Sequence, residues 1–333
     1  MTDKSEILID VRTPSEYQKA HIPGALNLPL FSDEERAAVG TTYVKVSREE
    51  AILEGLEYVG PRMSDMVRQV VEWRNQYQAE RVQFYCARGG MRSASVAWLM
   101  GFYGMTASIL PGGFKQYKAQ LPQLCRKIEQ LILLEAPTGS GKTLVLKALE
   151  EQGAQVIDLE GMAQHHGSAF GALPHLDAQR SNEMISCLII ETLLSFDLTQ
   201  PIFVESESKK IGSREVPEPF FELMKEAKRI ELETPLDLRI QLILKEYGNL
   251  DTEYLLSAFE KIRKRLGGEA CDTAKDAVIR GDLATGVSIA LKYYDKAYAL
   301  SGSELWSDQI LGYVPFNGDA STSATEIMKL VGD

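Results

Sequence analysis

Short apolar runs that stop abruptly at polar or glycine-rich clusters recur along the chain. Ile7-Leu-Ile-Asp10-Val is the first, and Val82-Gln-Phe-Tyr85, Ser108-Ile-Leu110, Leu131-Ile-Leu-Leu134, Val156-Ile-Asp158-Leu, Ile202-Phe-Val204-Glu205 and Arg229-Ile-Glu-Leu follow. Runs this short and apolar suit strands buried on both faces of a parallel sheet. Between them the spacing becomes helical. Met66, Val67, Val70, Val71 and Trp73 share a face within Met66 to Tyr77, and Ser95 to Met100 and Leu144 to Gln152 predict two further helices. Thr13-Pro14 supplies a capping hydroxyl and a first-turn proline, and His21 to Pro29 reads as a turn with a second short strand. From Asp251 to the end the pattern is mainly helical, without internal repeats or low-complexity tracts. Alternating strands and helices predict an α/β protein. The polar stretch from Gln120 to Gln130, with Pro122, Arg126 and Lys127, reads as a junction, giving domains 1–124 and 125–333.

Composition narrows the class. A chain of 333 residues suits two domains at ~100–200 residues each, and 44% hydrophobic with 25% charged residues is ordinary for a globular protein. The net charge of −11 argues against indiscriminate binding to nucleic acid, so any RNA partner must be met by a local basic patch. The polar start, Met1-Thr-Asp-Lys-Ser-Glu, has no signal-peptide core, and the apolar stretch Met184 to Leu194 is interrupted by Glu191 and too short to span a bilayer. A cytoplasmic location is expected. Cys86, Cys125, Cys187 and Cys271 are scattered, which indicates neither a disulfide framework nor a zinc site.

Two loops carry the candidate chemistry. In Cys86-Ala-Arg88-Gly89-Gly90-Met-Arg92-Ser93 a thiol stands at a strand end, two glycines permit a tight curl of backbone N–H groups, and two arginines can neutralise a thiolate or a bound oxyanion. In Ala136-Pro-Thr138-Gly139-Ser140-Gly141-Lys142-Thr143 the first glycine of a Walker A loop is replaced by Ala136. The remainder is intact: loop amides and Lys142 suit phosphates, and Thr143 is placed to ligate Mg²⁺. Glu205 and Glu207, after the run Ile202 to Val204, approximate a Walker B position.

Ile9-Asp10-Val-Arg12, Glu16-Tyr17, His21-Ile-Pro-Gly-Ala-Leu-Asn-Leu-Pro29, the Cys86 loop and Gly112-Gly113-Phe together resemble a rhodanese domain. The resemblance implies that Cys86 carries sulfur or selenium, with Asp10 and Arg12 bracing its site. The Cys-x5-Arg spacing from Cys86 to Arg92 is also that of tyrosine-type phosphatases, so phosphatase chemistry stays open. With the P-loop, Asp33-Glu-Glu-Arg-Ala-Ala-Val-Gly-Thr41, Asp158-Leu-Glu160-Gly161, His166-Gly-Ser168-Ala-Phe-Gly171, Glu205-Ser-Glu207-Ser-Lys209-Lys210-Ile-Gly212 and Lys261-Ile-Arg263-Lys264-Arg265-Leu-Gly267, nearly the whole chain resembles the tRNA 2-selenouridine synthases. The fold thereby implied is a rhodanese-like parallel-sheet domain followed by a P-loop NTPase-like α/β domain with a mainly helical C-terminal part.

The resemblance implies a transferase acting in two steps on the wobble 2-thiouridine of tRNAs for Lys, Glu and Gln: S-geranylation from geranyl diphosphate, then replacement of the geranylthio group by selenium from selenophosphate. Cys86, Arg88 and Arg92 would handle selenophosphate or a perselenide derived from it. The P-loop would hold the diphosphate, with Mg²⁺ a candidate companion at Thr143 and no tightly bound cofactor expected. Asp158, Glu160, His166 and Ser168 fall after a strand where ligands of open α/β sheets gather. Lys209, Lys210, Arg214, Lys261, Arg263, Lys264 and Arg265 are candidate tRNA contacts. Ala136 and the pair His165-His166 depart from the family pattern. The competing readings are a rhodanese-fold sulfurtransferase or phosphatase fused to an ATP-dependent kinase-like domain, and a non-catalytic module with two degenerate loops.

Overall fold

The structure is a computed structural model describing residues 5–164, 179–247 and 251–332. It divides into two compact units: residues up to Gln123 together with Glu183–Ser195, and Leu124–Asn182 with Phe196 onward.

In the first unit the apolar runs form four parallel strands, β1 (Glu6–Asp10), β2 (Leu26–Asn27), β3 (Arg81–Tyr85) and β4 (Thr106–Ile109), in the order β2-β1-β3-β4. Ile7, Ile9, Val82 and Phe84 fill a core with Val67 and Val70 of helix Met63–Tyr77 and Val96, Leu99 and Met100 of helix Met91–Phe102. Burying each such side chain contributes roughly 1.5–3 kcal/mol. The predicted Thr13 cap is present: its hydroxyl accepts from the Glu16 amide while Glu16 returns a bond to the Thr13 amide, a capping box at helix Pro14–Lys19. Ser32 caps helix Asp33–Lys45 in the same way.

Helix Asn182–Ser195 lies in the stretch expected to belong wholly to the second domain, yet residues 183–195 group with the first unit. Tyr117 donates to the Cys187 carbonyl at 3.1 Å, and Lys19 and Lys118 both reach the Glu183 carboxylate. The helix has little polar face to give to water: Ile185, Cys187, Ile189, Ile190 and Leu193 are all buried.

The second unit is built on β5 (Leu131–Glu135), β6 (Gln155–Ile157), β7 (Ile202–Glu205), the two-stranded hairpin β8 (Lys210–Ile211) and β9 (Arg214–Glu215), β10 (Lys228–Glu233) and β11 (Ile310–Pro315). Its main sheet is parallel, ordered β11-β10-β5-β7-β6, so the fully buried β5 is central and delivers the P-loop from the middle of the sheet. Helices Lys142–Glu151 and Ala320–Gly332 cover one sheet face through Val145, Leu149, Ala324 and Ile327. Helices Leu236–Tyr247, Thr252–Leu266, Gly268–Ile279 and Leu283–Leu305 enclose a separate core around Phe259, Cys271 and Leu291. The C-terminal region is thus mainly helical, but β11 returns to the sheet as an edge strand. Among the described residues no helix is long and apolar enough to cross a membrane.

Candidate functional site

Strand β3 ends at Tyr85, and the chain curls from Cys86 into helix Met91–Phe102. The Gly90 amide donates to Cys86 Sγ at 3.3 Å and the Ser93 hydroxyl at 3.4 Å. The thiol is buried, which pushes its pKa up, but the Ser93 hydroxyl and the amides of Arg88, Ser93 and Gly90 outweigh burial and hold it below the ordinary value. The curl is closed from behind by the Gly112-Gly113-Phe turn. Phe114 and Lys115 amides donate to the carbonyls of Cys86 and Ala87, each at 2.9 Å. Gly113 has φ +58°, and a Cβ there would lie 2.3 Å from the Cys86 carbonyl oxygen and 2.5 Å from the Gly89 nitrogen, so only glycine lets the two backbone segments meet.

Asp10 and Arg12 form a buried pair after β1. The Arg12 guanidinium meets both Asp10 oxygens, donates to the Ala20 carbonyl at 2.7 Å, and lies 3.9 Å from the Phe114 ring centre. Burial works against its charge, and Asp10 more than restores it. The pair therefore ties β1 to the turn behind the cysteine. Arg92 is committed as well: it donates to Glu16 at 2.8 Å, a carboxylate that also closes the capping box. Burial raises the Glu16 pKa, but Arg92 and the Thr13 amide lower it further, so Glu16 stays ionised. Arg88 is exposed at the rim of the curl.

The P-loop follows β5, and its glycines are demanded by space. A Cβ on Gly141, at φ +80°, would lie 2.5 Å from the Phe316 ring. Lys142 donates to the Ala136 carbonyl at 2.9 Å. Two residues outside the motif hold the loop: Arg239 donates twice to the Thr138 carbonyl, at 2.8 and 3.0 Å, and Thr234 donates to the Ser140 carbonyl at 2.9 Å. Arg239 is itself buried and anchored on Asp295 at 2.6 Å. Neither was legible as a site residue, because each lies about a hundred residues downstream and carries no local motif; the one hint is that Thr234 directly follows a strand beside the P-loop strand.

Beside the loop an acidic cluster gathers as the order of β5, β7 and β6 requires. Glu205 accepts from the Glu160 amide at 2.7 Å, Asp158 caps helix Leu159–Ala163 through the Gly161 amide, and Glu160 and Glu207 share a side-chain hydrogen bond. Burial, then the Asp158 and Glu207 charges, push Glu205 up to about 8, against the opposing pull of Lys142. Burial, with Glu207 and Glu205, pushes Glu160 up to about 9, and burial raises Glu207 as well. Among the described residues no set of three or more His, Cys, Asp or Glu is placed to hold a metal. A Mg²⁺ here would rest on the half-buried Thr143 and on oxygens of the ligand.

The remaining candidates are dispersed. Lys209 is paired with Glu218, Arg214 donates to the Gln179 carbonyl at 3.0 Å, and Arg263 bonds to Glu260 and Asp272. Lys210, Lys261 and Lys264 are exposed. Arg265 continues helix Thr252–Leu266, whereas His166 and Ser168 lie outside the described residues.

Comparison with known proteins follows the same division. A family model described as the tRNA 2-selenouridine synthase AAA domain matches residues 129–311, and the model of the rhodanese-like domain matches residues 1–120. A protein of Bdellovibrio bacteriovorus named tRNA 2-selenouridine synthase is 37% identical, covering 92% of this chain and 86% of its own. Proteins of the same name from Psychromonas ingrahamii and Salmonella newport are 31% and 32% identical, each over 87% of this chain and 86% and 87% of their own.

Proposed function

The chain belongs to the tRNA 2-selenouridine synthase family, and from that premise we propose that it converts the wobble 2-thiouridine of tRNAs for Lys, Glu and Gln to 2-selenouridine by way of an S-geranyl intermediate. The observation that carries the reading is the presence, in one chain, of an activated thiol ring and a P-loop whose Thr138 and Ser140 carbonyls are held by Arg239 and Thr234. The proposed substrates are tRNA, geranyl diphosphate and selenophosphate, in the cytoplasm.

In the first step the 2-thio sulfur attacks C1 of geranyl diphosphate, the C–O bond breaks, and diphosphate departs with the electron pair while the base loses its N3 proton. Thr138 to Thr143 would bind the leaving diphosphate, with amides of Gly139 and Gly141 and the Lys142 ammonium stabilising its growing charge. Bound Mg²⁺ would add positive charge at Thr143. Asp158, Glu160, Glu205 and Glu207 border this loop, and the raised pKa values of Glu160, Glu205 and Glu207 limit repulsion of the incoming anion.

In the second step the selenium of selenophosphate adds at C2, the C–S bond breaks and the geranylthio group takes up a proton and leaves as a thiol, and water then cleaves the P–Se bond, releasing inorganic phosphate and leaving 2-selenouridine. Alkylation has by then converted a poor leaving group into a good one. Cys86, with Gly89, Gly90 and Ser93 shaping its ring and Arg88 and Arg92 at its edge, would hold selenophosphate, with Asp10 and Arg12 bracing from behind. Lys209, Lys210, Arg214, Lys261, Arg263, Lys264 and Arg265 are the proposed tRNA contacts, of which the exposed Lys210, Lys261 and Lys264 have most to offer a phosphate.

Mass spectrometry of nucleosides from 2-thiouridine tRNA incubated with the protein tests the reading. Geranyl diphosphate alone should give S-geranyl-2-thiouridine, and added selenophosphate should convert it to 2-selenouridine. Unchanged 2-thiouridine with folded protein would refute it, and ATP turnover or phosphatase activity would then favour the fused-kinase reading.

A further inference from the structure

Five of the P-loop carbonyls are committed to hydrogen bonds. The Ala136 carbonyl accepts from Lys142, Pro137 from the Ser140 amide, Thr138 from Arg239, Ser140 from Thr234, and Gly141 from the Val145 amide. In a trans peptide the C=O and the following N–H point in opposite directions. Holding the Thr138 oxygen on the outside therefore aims the Gly139 N–H the other way, and holding the Ser140 oxygen does the same for Gly141. Both glycines have positive φ, +74° and +80°, where each flanking peptide plane can turn over at little steric cost. An empty glycine loop left to itself would sample both orientations.

We propose that Thr234 and Arg239 are positioning residues that lock the Gly139 and Gly141 amides inward, so that the anion meets a preformed nest rather than one it must assemble. The inference rests on the reading that this loop holds a diphosphate. Arg239 acts through peptide orientation and not as a counter-charge, because Asp295 accepts from it at 2.6 and 3.1 Å and the guanidinium is buried. Thr234 acts without any charge, which makes it the cleaner probe. The helix carrying Arg239 also brings Ile243 against the loop; a Cβ on Gly139 would lie 2.6 Å from its terminal methyl. Apolar packing and the carbonyl bonds thus fix the same turn from one side.

Thr234→Val keeps the side-chain shape and removes the donor; Thr234→Ser keeps the donor. Calorimetric titration of the full-length protein with inorganic diphosphate should show roughly 3- to 10-fold weaker binding for Thr234→Val, the range of one neutral hydrogen bond. Thr234→Ser should stay within about twofold of wild type, and the salt dependence should be unchanged because no charge is lost. In turnover, KM for geranyl diphosphate should rise for Thr234→Val while kcat at saturation holds. Asp295→Asn, which loosens the Arg239 anchor, should weaken diphosphate in the same direction. Wild-type affinity in Thr234→Val, or equal weakening in the Ser and Val variants, overturns the positioning role while leaving the P-loop reading intact. Absence of diphosphate binding in the wild type overturns both. If Thr234→Val does not fold, the comparison of Thr234→Ala with Thr234→Ser decides by the same criterion.

Discussion

Replacing Ser93 by alanine should raise the Cys86 pKa by about one pH unit. The Ser93 hydroxyl is buried and lies 3.4 Å from the sulfur, one of the hydrogen bonds that oppose the burial penalty on the thiolate. A hydrogen bond to a charged group contributes roughly 1.5–3 kcal/mol. The long sulfur contact and the competing Gly90 carbonyl, 3.1 Å from the same hydroxyl, favour the low end. At 1.36 kcal/mol per pH unit, ~1.5 kcal/mol is about one unit. Iodoacetamide alkylation against pH, followed by peptide mass spectrometry, reads Cys86 selectively. Burial pushes Cys125 up to about 11 and Cys187 up to about 12, and raises Cys271, leaving Cys86 as the one of these four thiols held below the ordinary value. Stability should follow. A thiol whose folded pKa lies below its unfolded value near ~8.5 stabilises the fold fully above that pH and loses the contribution as pH falls through the folded pKa. The wild type should therefore gain on Ser93→Ala as pH rises through the folded pKa of Cys86, and not below it. An unchanged alkylation profile in a folded variant would refute the assignment of Ser93 as thiolate donor.

Cys86→Ala should abolish selenium incorporation while S-geranyl-tRNA still accumulates, and Lys142→Ala should abolish geranylation; nucleoside mass spectrometry that finds both activities lost equally in both variants would end this division of labour. Gly113→Ala should lower stability by at least ~1–3 kcal/mol in urea unfolding, since its methyl meets only backbone atoms and the residue would be left in the left-handed region. Glu205→Gln should stabilise the protein at pH 7–9: the folded pKa is raised, so the wild type holds its full contribution below the unfolded value near ~4.3 and loses it as pH climbs through about 8. Equal thermal midpoints at pH 8 would contradict that burial. Lys264→Ala should reduce the slope of log affinity for tRNA against log salt by about one, whereas Arg263→Ala, starting from two acidic partners, should change it less.

Much of the fold was legible because local chemistry and tertiary structure agree. Thr13-Pro14-Ser-Glu16 announces its helix through a complete capping box, and Leu131 to Glu135 announces a central strand because every side chain is buried. Strand β11 escaped because Ile310 to Pro315 is an edge strand, mostly exposed or half-buried, whose partner β10 lies some eighty residues earlier. The same limit hid the site's supports. Lys142 and Cys86 declare themselves through neighbours in sequence, but the partnership of Arg92 with Glu16 spans 76 positions and that of Arg239 with Thr138 spans 101. Local pattern cannot pair residues over such distances; only the topology brings them together.

Helix Asn182–Ser195 also sets a timetable for synthesis. The first unit includes a segment translated only after the P-loop and two strands of the other unit have been made. At ~5–20 residues per second, Tyr117 and Lys118 wait several seconds on the ribosome before Cys187 and Glu183 exist to meet them. Through that interval the Tyr117 hydroxyl and the Lys118 ammonium are without the partners they hold on that helix in the folded unit. A gene cut after residue 123 would make that loss permanent, so expression of the cysteine-bearing half alone should yield a less stable product that a co-expressed 183–195 peptide improves.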